Sequence, residues 1–82
     1  MTHQKNKELE ERVIEQLAEL EHQQWVDWAI TIMNQESISE ERRERWIKYL
    51  CAYNELSEDV KEHDRKWARK VYKVVEKAIQ ET

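Results

Sequence analysis

The chain has 82 residues, a formal net charge of -4, no glycine, no proline and one cysteine. A chain this short forms one domain with a small core, and the missing turn residues exclude hairpin-rich β architecture. The lone Cys51 excludes an internal disulfide and cannot hold a structural zinc by itself. The acidic balance, without a separate run of Lys and Arg, disfavours DNA or RNA duplex partners, and no apolar run approaches the roughly 20 residues of a membrane span.

Residues 1–7 begin with the polar, unpatterned MTHQKN and are expected to fray. They lack the apolar core of a secretory signal, which implies a cytoplasmic protein. Residues 8–82 read as a single helical domain. From about Glu8, Leu9, Val13, Leu17 and Leu20 recur at helical spacing, and Trp25, Trp28, Ala29, Ile32 and Met33 continue the stripe. This predicts a first helix of about 27 residues, about 40 Å long at 1.5 Å per residue, ending before Asn34.

The link from Asn34 to Ser39 holds two competing starts for a short middle helix: Ser37 with Glu40 as a capping box, or Ser39 as the N-cap. Trp46, Ile47, Tyr49 and Leu50 supply its buried side, and it is expected to end near Leu50. Cys51 to Leu56 reads as an irregular connection. Ser57, followed by Glu58 and Asp59, is a strong N-cap for a third helix reaching about Ile79. Val60, Trp67, Val71, Val74 and Ala78 form its apolar stripe, with Leu56 and Trp67 expected to anchor it. The fold class is therefore all-α: long first helix, short middle helix, long third helix. A Glu-rich first helix and a Lys/Arg-rich end to the third suggest antiparallel packing or a homo-oligomer.

Three groups of residues could carry function. Asp64 interrupts the apolar stripe of the third helix, and a carboxylate there needs a partner. Asp64 and Arg65 either form a salt bridge to the first helix or the connection, or meet a ligand's donors and its phosphate or carboxylate. His22 and Trp25, three apart, share one face; they are either a bonded histidine beside a core Trp, or a polar group beside a stacking platform. Trp46, Tyr49 and Tyr53 could rim a pocket with Arg42, Arg43 and Arg45 nearby, or Trp46 could fill the core while the arginines pair with Glu40, Glu41 and Glu44. No nucleophile with an orienting base and no metal-ligand spacing is present, so neither catalysis nor a cofactor is expected.

The string YNELSEDVKEHDRKWA from Tyr53, preceded by HQQW at His22 to Trp25, resembles the ryanodine-receptor-type repeat domain over roughly residues 15–75. Tyr53, Leu56, Lys61, Asp64 and Arg65 fall on the pattern of Pro-Tyr-x-x-Leu followed by Lys-x-x-Asp-Arg, with His22 and Trp25 at its earlier His-x-x-Trp position. Ala52 replaces the pattern's proline. The glycine-rich insert of the receptor repeats is also absent, which makes the chain more similar to compact phage and prokaryotic relatives. The resemblance implies a non-catalytic module that binds a nucleotide-derived small molecule of the cyclic-nucleotide or cyclic ADP-ribose type, and a phage copy would be a sponge acting in the host cytoplasm. It places ligand contacts at His22, Trp25, Trp46, Tyr53, Lys61, Asp64 and Arg65, with possible phosphate contacts at Arg42 and Arg43. The alternative is a protein-binding module that inhibits a host protein through a Trp/Tyr/Arg surface.

Overall fold

The computed structural model describes residues 2–81, with side chains from residue 6 onward. The expected fraying at Met1 and the side chain of His3 lie outside the described residues. The chain is all-α: α1 spans Thr2–Gln35, α2 Glu40–Ile47 and α3 Glu58–Gln80, with a single 3-10 turn at Tyr53–Glu55 and no strand among the described residues. α1 starts six residues before the expected Glu8, because nothing in its first turns breaks a helix. At 1.5 Å per residue its 34 residues span about 51 Å, which sets the long dimension of a molecule measuring 52 × 27 × 14 Å.

Local chemistry decides the helix ends. Ser39, not Ser37, caps α2: its Oγ accepts from the Arg42 backbone N–H at 3.1 Å, and Glu40 and Glu41 occupy the first turn. α2 stops at Ile47, three residues before the expected end. Tyr49 and Leu50 donate their N–H to the carbonyls of Trp46 and Ile47, so the last turn tightens to i→i−3 bonds. Ser57 starts α3, accepting from Val60 N–H at 3.4 Å.

α1 and α3 pack against each other as one layer. Ala18 and Ala68 are fully buried at their crossing and, with Tyr53 and Leu56, form the core cluster; Ile14, Leu17, Cys51 and Val60 pack onto it. Small residues at the crossing bring the helices close, and Leu56 anchors the entry to α3. Trp67 does not anchor it: Trp67 is 57% exposed, one position round the helix from buried Ala68. Leu9, Leu20 and Trp28 of the expected α1 stripe are exposed too, as are Val71 and Val74 of α3. Each long helix has an apolar stripe wider than a single partner can cover.

Replacing Ala68 by Leu is expected to force methylenes into a filled crossing and lower stability by about 1–3 kcal/mol. The urea midpoint of the far-UV circular dichroism signal measures it.

Candidate functional site

Glu15 ties three elements together. Its Oε1 accepts from the Tyr53 hydroxyl at 2.6 Å and from Arg65 Nη2 at 3.0 Å, while Oε2 accepts from Arg65 Nε at 2.9 Å. Arg65 thus grips the carboxylate with two parallel donors, the strongest geometry open to this pair. Its Nη1 donates to Glu58 Oε2 at 2.9 Å and lies 3.7 Å from Glu62, which also receives Arg69 at 2.7 Å. The Arg65 hydrogen bonds, offset in part by desolvation and aided by the Tyr53 hydroxyl, hold the Glu15 carboxyl below its usual range. Burial and the Glu15 carboxylate push the Tyr53 phenol up. Lys61 completes this cluster, 5.4 Å above the Tyr53 ring and 3.6 Å from Glu58.

Asp64, next in sequence to Arg65, lies on the other flank of α3, because successive residues are about 100° apart on a helix. It faces His22, which is only 4% exposed. His22 Nε2 lies 2.7 Å from the Cys51 carbonyl; a carbonyl only accepts, so Nε2 carries the hydrogen and donates it. Nδ1 is left facing Asp64 Oδ2 at 3.9 Å, beyond hydrogen-bond range. No side-chain hydrogen bond reaches the Asp64 carboxylate among the described residues. Burial, with a smaller push from Glu21, raises its pKa above the ordinary carboxylate value, against the pull of His22 and His63.

His22 and Asp64 form the floor of a cleft of about 540 Å³. Trp25, Trp46 and Tyr49 wall it, and Val60, His63 and Arg45 border it. The Trp25 ring meets Trp46 edge-on at 6.1 Å and Tyr49 edge-on at 6.2 Å, and lies parallel to His22 at 6.2 Å. α2 sets these walls: its capped start places Trp46 against Trp25 and Trp28, and its tightened end turns Tyr49 inward. The result is a concave aromatic surface with one acidic acceptor at its base and one guanidinium at its border. Such a shape suits a flat ring carrying N–H groups on one edge.

The expected site residues therefore divide. His22, Trp25, Trp46 and Asp64 come together in the cleft, whereas Tyr53, Lys61 and Arg65 belong to the Glu15 cluster and do not line it. Arg42 lies 6.0 Å over the Trp46 ring and Arg43 is half-buried; neither lines the cleft, and Arg45 does. Val60 was read only as part of the α3 apolar stripe, and neither His63 nor Glu15 was read as a site residue. Glu15 shares the α1 face of Ala18 and His22, at spacings of three and four, and that periodicity was the available signal. Among the described residues no group of His, Cys, Asp or Glu could hold a metal ion, and no helix is long and apolar enough to cross a membrane. No protein-family model, curated protein or solved structure matches the chain.

The Glu15 cluster carries a pH signature. Because Glu15 is held below its ordinary value of 4.5 when folded, its stabilisation is complete above that value and disappears as pH falls through the lower, folded value. Urea midpoints recorded from pH 7 downward are expected to drop most steeply below about pH 4.5. In Glu15→Gln the midpoint starts lower and this steep segment flattens.

Proposed function

We propose that the chain binds a nucleotide-derived signalling molecule, of the cyclic-nucleotide or cyclic ADP-ribose type, in the aromatic cleft and sequesters it without converting it. The observation that supports this reading is the Asp64 carboxylate: desolvated, lacking a side-chain hydrogen bond, and set at the base of three aromatic walls. A planar base stacks on Trp25, Trp46 or Tyr49 and donates its ring and exocyclic N–H groups to Asp64. Arg45, at the border, meets a phosphate in the place expected for Arg65. Partly desolvating a carboxylate costs stability, and a ligand's donors recover part of that cost on binding.

The motif resemblance to the ryanodine-receptor-type repeat domain points the same way, and His22, Trp25 and Asp64 are the residues common to the motif and the cleft. Binding without chemistry also fits the state of His22, whose Nε2 is committed to a main-chain carbonyl. In a phage setting such a module acts as a sponge that removes a host defence signal. A second reading, inhibition of a host protein, is favoured by Trp28, which is 51% exposed beside Trp46.

The test is depletion. The purified protein is incubated with cyclic oligonucleotides and cyclic ADP-ribose isomers, and the free ligand is analysed by chromatography before and after heat denaturation. Depletion followed by recovery of the intact molecule is expected. A cleaved product would indicate an enzyme, and no depletion of any messenger would favour the protein partner. Trp46→Ala is expected to weaken binding about 10- to 100-fold, the worth of one base–aromatic stack.

Asp64 separates ligand binding from scaffolding. Its pKa is raised in the folded chain, so its ionisation opposes folding as pH rises above the unfolded value of 3.8. Asp64→Asn is therefore expected to raise the neutral-pH urea midpoint while abolishing depletion. A lowered midpoint would make Asp64 a structural tie.

A further inference from the structure

A layer one helix thick has two faces, and among the described residues one face has nothing packed against it over half its length. The pairing of Glu15 with Arg65 fixes one flank of the α1–α3 layer, and the cleft lined by both Trp25 and Asp64 lies on the other. At 100° per residue, Trp67, Val71, Val74 and Ala78 fall on the Asp64 flank of α3. Their spacings of four, three and four are those of the apolar seam of a coiled coil. Trp67, Val71 and Val74 are 57%, 38% and 70% exposed, and Ala78 is exposed as well. On the same flank of antiparallel α1 lie half-buried Val13 and Leu17, with Leu20, 59% exposed, at its outer edge. Two apolar seams thus run side by side on one face.

We infer that this face docks a second copy of the same chain, forming an antiparallel four-helix bundle in which α3 of one copy lies across α1 of the other. Three observations select this occupant. The molecule is only 14 Å thick, and a domain is stable when its apolar stripe is covered by a second layer. No large side chain is fully buried among the described residues, so the isolated layer has little core of its own. Charge then selects the pairing. α3 beyond Trp67 carries Lys70, Lys73 and Lys77 against Glu76, while the α1 segment antiparallel to it carries Glu8, Glu10 and Glu11 against Lys7 and Arg12. A two-fold axis parallel to the helices sets the basic half of α3 against the acidic half of the partner's α1. Pairing α1 with α1 or α3 with α3 would oppose like charges. The contact is isologous and closes at two chains.

Sedimentation equilibrium from about 1 μM to about 1 mM, spanning strong to weak association, tests this. The wild type is expected to shift from the 10.1 kDa of one chain towards twice that mass. Val74→Glu and Trp67→Lys change exposed positions and are expected to keep the monomer's helicity while abolishing the shift. Lys70→Glu with Lys77→Glu, which leave the apolar seam intact, are expected to weaken association at low salt by about tenfold or more. A wild type that stays monomeric throughout, or a dimer that both seam variants leave intact, overturns the inference.

Discussion

The carboxylate of Glu15 is where α1, the connection and α3 meet. It accepts from Tyr53 and, twice, from Arg65, so one side chain on α1 fixes both the connection and α3. With no glycine or proline to set the path of the chain after α2, that path is set by what Tyr53 and Leu56 pack against. Tyr53 carries a 3-10 turn whose end delivers Leu56 to the core and Ser57 to the cap of α3. A buried or half-buried ion pair is costly unless each donor and acceptor is used. Here Glu58 and Glu62 occupy what Glu15 leaves of the guanidinium.

That arrangement has a consequence for the neighbouring residue. Arg65 and Asp64 are adjacent in sequence, but the helix sends them to opposite flanks: Arg65 into a saturated network, Asp64 to an acceptor-only position with His22 Nδ1 at 3.9 Å. The fold tolerates the poor solvation of Asp64 because Glu15 and Arg65 already lock the two long helices. The hydrogen-bonded ion pairs thus lie on one flank and a partly desolvated carboxylate on the other, next to the aromatic walls of the cleft.

The three helices were legible in the sequence because their causes are local: the apolar periodicity of residues 9–33, the capping residues Ser37 and Ser39 before α2, and Ser57 before Glu58 and Asp59; the start of α1 was set six residues late. His22, Trp25, Trp46 and Asp64 were legible as site candidates because residues of mixed polarity on apolar faces demand an explanation. Trp67 was misplaced since periodicity gives the width of a stripe and not which edge of it meets a neighbour; fully buried Ala68 took that position. Glu15 was legible only as a residue on the Ala18 and His22 face of α1; its partner was not. Its partner Arg65 is 50 residues away, and nothing in a single sequence marks one of many glutamates as the one the arginine will choose. The same long-range choice put Tyr53 and Arg65 in the Glu15 cluster, outside the cleft that Arg45 lines.

We propose that a ligand binds on the Asp64 flank of α3, opposite the flank that Arg65 ties to Glu15. Nitrogen-detected nuclear magnetic resonance of the depleted nucleotide titrated into labelled protein tests it most directly, because the indole N–H of Trp25 and Trp46 and the Nε–H of Arg65 each report their own site. The indole resonances of Trp25 and Trp46 are expected to shift on binding while the Arg65 Nε–H keeps its position and its slow exchange with water. A large shift of Arg65, or loss of its exchange protection with the two indoles unmoved, would place the ligand on the Glu15 flank and contradict the claim.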